Sequence, residues 1–147
     1  MEASDNFKSN SRSGVVTTML GAWMLQLIIG AQVALGNYQV YFTSYYRYTL
    51  GYKDTQTSDF YPMFTIILGC SSLCYPFGNH LVDYFGKSSK PVILLGAFVA
   101  MSSVTACSIF EFPPTVFVVV YSCGMGTLKG LMQPAIWRAG LTQLPKK

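Results

Sequence analysis

Four long stretches of this chain are almost free of charge, and that spacing limits what it can fold into more than any other property. No Asp, Glu, Lys or Arg occurs from Gly14 to Tyr46 or from Pro91 to Phe110. Phe60 to Val82 adds only His80, and Phe112 to Trp137 adds only Lys129. A bilayer core about 30 Å thick takes roughly 20 helical residues at a rise of about 1.5 Å each. Every stretch is long enough. The sequence therefore predicts an all-α integral membrane protein with four transmembrane helices, over about residues 15–46, 59–82, 91–110 and 115–138, behind a polar tail at 1–13. Buried helices of a soluble bundle would more often show apolar runs of about 10–14 residues. The opening run also exceeds the h-region of a cleavable signal peptide, which is about 7–15 residues long. Composition agrees, with 51% apolar and 11% charged residues against about 25% charged in soluble domains.

Lys and Arg placement orients such a bundle, because acids contribute little to topology. Lys8 and Arg12 precede the first helix, Lys87 and Lys90 join the second to the third, and Arg138, Lys146 and Lys147 follow the fourth. On the other side stand only Arg47 and Lys53. Seven against two places both termini and the Asp83 loop in the cytoplasm. The net charge of +4 follows from this topology. No basic face interleaved with stacking aromatics points to nucleic acid.

Punctuation sets the helix ends. Ser58 or Asp59 is positioned to cap the second helix, Pro91 stands in the first turn of the third, and Pro113-Pro114 separates the third from the fourth. Pro134 lies inside the fourth helix and is expected to kink it. Gly21, Gly30, Ala31 and Gly36 in the first helix, and Gly124, Gly126 and Gly130 in the fourth, let backbones approach closely; Gly126-x-x-x-Gly130 lies on one face. Cys70, Cys74, Cys107 and Cys123 all fall in apolar runs, with no intramembrane His or carboxylate to complete a metal set, and read as packed free thiols. No cofactor-binding pattern is present. His80 and Asp83 have no nucleophile at any recognisable spacing, and Gly124-x-Gly126-x-x-x-Gly130 lacks the strand that a nucleotide fold places before its glycines. An enzyme is not expected.

Polar groups inside the apolar runs are the candidates for function. A lysine at the centre of a membrane helix costs about 2.5 to 3.5 kcal/mol, so Lys129 should face a cavity, a partner or the interface. It stands nine positions before Arg138, roughly 13 Å along a helix, which is also within reach of a snorkelling side chain. In a cavity its charge would favour an anion. On the first helix Gln26, Gly30, Val33 and Asn37 form one stripe, and Gln32, Gly36, Gln39 and Thr43 a second. One stripe could line a substrate path while the other hydrogen-bonds to neighbouring helices. Tyr38, Tyr41, Tyr45, Tyr46 and Tyr48 form an interfacial aromatic belt.

The segment Leu81-x-Asp83-x-x-Gly86-Lys87 resembles the G-x-L-A-D-x-x-G-R/K signature between helices 2 and 3 of the major facilitator superfamily, with Asn79 at the first glycine position and Gly78 one residue earlier. Gly36 to Arg47 looks like the end of helix 1 in members of that superfamily. Tyr121, Gly124, Gly126, Pro134 and the ending Leu144-Pro145-Lys146-Lys147 resemble its oxalate/formate antiporter-like and monocarboxylate-porter-like branch. The resemblance implies the N-terminal portion of a major facilitator fold. The first and fourth helices would line a central path, and Asp83, Gly86 and Lys87 would act at a cytoplasmic gate, with Arg138 as the partner of Asp83. It implies a secondary active transporter whose parent moves a small organic anion by exchange or proton coupling. Such carriers have two six-helix halves with the substrate between them. Four helices would work with the missing carrier half, or with other membrane subunits if the chain is instead a non-transporting structural subunit of a larger complex.

Overall fold

The computed structural model describes residues 2–30, 35–85 and 89–142. Among them all regular structure is helical: α1 (Glu2–Gly30), α2 (Leu35–Tyr48), a 3₁₀ turn (Thr57–Phe60), α3 (Pro62–Tyr84), α4 (Lys90–Ile109) and α5 (Pro114–Thr142). Three spans, Thr57–Tyr84, Lys90–Ile109 and Pro114–Arg138, are long and apolar enough to cross a membrane. The fourth expected crossing, over 15–46, is described as α1 and α2, and the apolar part of α1, Gly14–Leu27, is shorter than those spans. Residues 31–34, with Ala31 and Gln32 among them, lie outside the described residues. The backbone of residues 2–13 is helical and continuous with the rest of α1. Extending a helix already nucleated is far easier than starting one.

Proline and short polar segments account for the sharp boundaries of the other helices. Pro62 and Pro91 stand in first turns, where a missing N–H leaves no bond unmade. The expected cap at Ser58 or Asp59 falls one element earlier. Asp59 Oδ2 accepts from the backbone N–H of Gln56 at 2.8 Å, which closes the 3₁₀ turn, whereas α3 begins after Tyr61 without a side-chain cap. Pro76 and Pro134 both lie inside helices that continue through them.

α5 is the hub. In its apolar span 44% of residues are buried, against 17% in each of the other two. Each of the three apolar clusters includes α5 residues. Phe117 and Val118 join Tyr46, Phe60, Met63 and Ile67. Leu128, Met132 and Ile136 join Ile29 of α1 and Ala100 of α4. Leu131 and Ala135 join Val82 of α3 and Val92 of α4.

α3 and α5 run parallel and approach closely over three successive turns. A Cβ built on Gly126 would stand 2.6 Å from Cys70 Cβ, and one on Gly130 would stand 2.6 Å from Cys74 Cβ and 2.6 Å from the Ser71 carbonyl oxygen. One turn further, a Cβ on Gly78 would stand 2.7 Å from Pro134 Cγ. Carbon atoms in van der Waals contact prefer about 3.5 to 4.0 Å, so these positions accept only glycine unless the backbones separate. On another face, α4 runs antiparallel to α5: Gly124 meets Ser103, Gly96 meets Leu128 and Leu131, and Ser89 Oγ donates to the Ala135 carbonyl at 3.0 Å. In lipid, where burying apolar area gives no drive for association, such close packing supplies the dispersion that holds helices together.

Gly126→Ala and Gly130→Ala should each lower stability by about 1 to 3 kcal/mol through overpacking, measured as a fall in melting temperature in mild detergent. Gly69→Ala, at an α3 position with no atom within 4 Å of the added methyl, should leave it unchanged or raise it slightly, because alanine is the better helix former.

Candidate functional site

The parallel register of α3 and α5 brings two charged side chains together at one end of the pair. Asp83 lies in the last turn of α3 and Arg138 lies one turn inside α5, since that helix continues to Thr142. Arg138 Nη1 donates to Asp83 Oδ1, and Nη2 donates to Oδ2 at 3.1 Å. This is a fork-to-fork contact that only a planar guanidinium can make. Asp83 is exposed and Arg138 half-exposed, so water and salt weaken the attraction and little stability comes from it. Gly86 and Lys87 lie outside the described residues.

The four polar candidates of the membrane runs occupy different settings. Gln39 is buried, and its Nε2 donates to the Phe60 carbonyl at 3.3 Å. Thr43 Oγ1 lies 2.8 Å from the Gln39 carbonyl and 3.3 Å from Thr57 Oγ1. That stripe of α2 thus ties the helix to the 3₁₀ turn, which is the interhelical alternative left open by the sequence. Asn37 is exposed, and Gln26 is half-buried on α1. Lys129 is half-buried on α5 and has no ion-pair or hydrogen-bond partner among the described residues. Its neighbours Leu128 and Gly130 face different partners, α4 with Ile29 and α3 respectively.

Several contacts were not signalled by residue type. Cys70 and Cys74 present their Cβ atoms to the α5 glycines, Cys70 Sγ lies 3.5 Å from Cys123 Sγ, and Cys74 Sγ lies 3.8 Å from Thr127 Oγ1. All four cysteines are free. The i, i+4 spacing of Cys70 and Cys74 matches that of Gly126 and Gly130, which is the signal that would have paired the two helices. The hydroxyl of Ser122 is fully buried on α5 and has no partner among the described residues. Tyr46 OH donates to the Phe112 carbonyl at 2.9 Å, pinning α2 to the segment before α5. No group of three or more His, Cys, Asp or Glu among the described residues is placed to hold a metal ion.

Comparison of the chain with protein-family models, with curated proteins and with solved structures gave no match.

Asp83→Asn, Arg138→Gln and the double variant form a cycle. The two single changes should be non-additive in thermal melts, and the coupling should shrink as salt rises from about 0.05 M to about 1 M, where the screening length falls to about 3 Å. A coupling independent of salt would contradict an exposed ion pair.

Proposed function

We propose that the chain forms helices 1 to 4 of a secondary active transporter of the major facilitator type. Both termini and the Asp83 end of the bundle face the cytoplasm, and α1 with α2 supplies the first crossing. The observation that carries this reading is the bidentate pair between Asp83 and Arg138. The acid of the signature-like loop is held by an arginine on the helix that runs parallel to its own. A gate at that place needs an attraction strong enough to bias one state and weak enough to be broken in each cycle. An exposed charge pair meets both needs. Charged groups of a second helical half, brought against this end as the halves rock, would compete for Asp83 and Arg138 on one stroke and release them on the other.

The transported species is a small organic anion, moved by exchange or together with protons. Lys129 supplies the reason: it is an intramembrane cation that neither an acid nor a backbone carbonyl neutralises within the described bundle. A negatively charged guest reaching it would relieve the cost of holding that charge in the membrane. Gln26 and Asn37 are the first crossing's candidates for hydrogen bonds to such a guest, while Gln39 holds α2 against the Phe60 carbonyl.

In cells producing the protein together with its carrier half, Lys129→Ala should reduce uptake of small carboxylates by about tenfold or more, equivalent to about 1.4 kcal/mol of lost interaction, at unchanged membrane level. Lys129→Arg should retain part of the uptake. Wild-type uptake by Lys129→Ala would remove this residue from the path.

A further inference from the structure

At the end of the bundle opposite the Asp83–Arg138 pair lies a cavity of about 270 Å³ between α2, the end of α4 and the start of α5. Its walls are mostly aromatic, with Tyr41, Tyr45, Tyr46, Phe110 and Phe117 contributing, and Glu111 is the acid among its lining residues. The Tyr45 and Tyr46 rings meet at 89° with centroids 6.0 Å apart, and the Tyr46 and Phe117 rings at 62° and 5.7 Å. Tyr46 is held in place by its hydrogen bond to the Phe112 carbonyl. Gly51, at φ +76°, turns the chain after α2 and the Tyr52 N–H donates back to the Tyr46 carbonyl at 3.0 Å, fixing the helix end that carries three of these rings. Glu111 is exposed and has no ion-pair partner among the described residues.

We propose that this cavity is a binding site for a quaternary ammonium group. Tyr41, Tyr45 and Phe110 are the exposed rings among the lining residues, and aromatic faces carry the negative lobe of the ring quadrupole, which attracts a cation. The Glu111 carboxylate adds a full negative charge, so an anion is repelled twice. A primary ammonium or a metal ion is strongly hydrated and would need oxygen ligands or hydrogen-bond acceptors in place of its water. Beside the Glu111 carboxylate the lining offers the hydroxyls of Tyr41, Tyr45 and Ser108, that of Tyr46 being bonded to the Phe112 carbonyl, and these are fewer than the water they would replace. A quaternary ammonium has no N–H to satisfy and keeps its charge spread over methyl groups, so it suits ring faces with one carboxylate nearby. The volume lies below the roughly 300 to 1,000 Å³ of sites for drug-sized ligands, which fits a headgroup or a small free cation. This inference does not depend on the transport reading.

The shared chemistry has two sources, the choline headgroup of a membrane lipid and a free quaternary ammonium compound. The test uses the whole chain in nanodiscs of phosphatidylglycerol, which contains no choline, titrated with tetramethylammonium chloride against sodium chloride at equal ionic strength. Tetramethylammonium should raise the melting temperature saturably while sodium does not. Glu111→Gln and Tyr45→Leu should each weaken the apparent affinity about tenfold, an interaction of about 1.4 kcal/mol, and Tyr45→Phe, which keeps the ring face, should retain it. In phosphatidylcholine nanodiscs, loss of the response identifies the lipid headgroup as the occupant, and an unchanged response identifies a free cation. An equal effect of sodium, no saturable shift in phosphatidylglycerol, or an undiminished response in Glu111→Gln would overturn the proposal.

Discussion

Gly126 and Gly130 let α5 lie against Cys70 and Cys74 of α3 at a separation that one methyl group on either glycine would disturb. Much else in the bundle depends on that approach. Because the two helices run parallel and stay close for three successive turns, their far ends meet in a fixed register. Phe117 reaches Phe60 at one end, with ring centroids 6.3 Å apart, and Arg138 reaches Asp83 at the other. The same approach leaves another face of α5 for α4, which docks through Gly96, Ser103 and Ser89. A membrane bundle gains little from burying apolar side chains away from lipid, so contact between backbones carries a larger share of its cohesion than it would in water.

The extents of α3, α4 and α5 were legible because proline and short polar segments interrupt long apolar runs at few places. The helices expected over 59–82, 91–110 and 115–138 are found at Pro62–Tyr84, Lys90–Ile109 and Pro114–Thr142. The excess at the end of α5 has a simple cause: Arg138 marks where the apolar run stops, and a helix need not stop with it. The first expected crossing, over 15–46, corresponds to α1 and α2, with residues 31–34 between them outside the described residues. The small-residue face of α5 could be read as a packing face, but its partner could not. Residues 70, 74 and 78 had to be seen as a second series with the same spacing before the two helices could be matched. Of the polar candidates, Gln39 shows why residue type alone is ambiguous. A glutamine in a membrane run serves equally to bind a guest or to hold a neighbouring carbonyl, and here it holds that of Phe60.

The two ends of the bundle differ in chemistry, and that contrast gives each its proposed role. One end carries a solvent-exposed guanidinium and carboxylate in a contact that salt can loosen. The other carries a dense set of rings from α2, the 3₁₀ turn and α5, locked by hydrogen bonds from Tyr46 and Gln39. Lys129 stands between the two, on the helix that every apolar cluster shares.

The parallel, glycine-mediated register of α3 and α5 can be read most directly from the native thiols. Cys70 and Cys123 face each other across that interface with sulfurs 3.5 Å apart, while Cys107 lies on α4 beside the aromatic cluster. Brief oxidation of the purified chain with copper phenanthroline, followed by proteolysis and mass spectrometry, should yield a Cys70–Cys123 disulfide as the main crosslinked species within one chain. A dominant pairing of Cys107 with Cys70, Cys74 or Cys123, or no intrachain crosslink at all, would contradict the register on which the fold and both ends of the bundle depend.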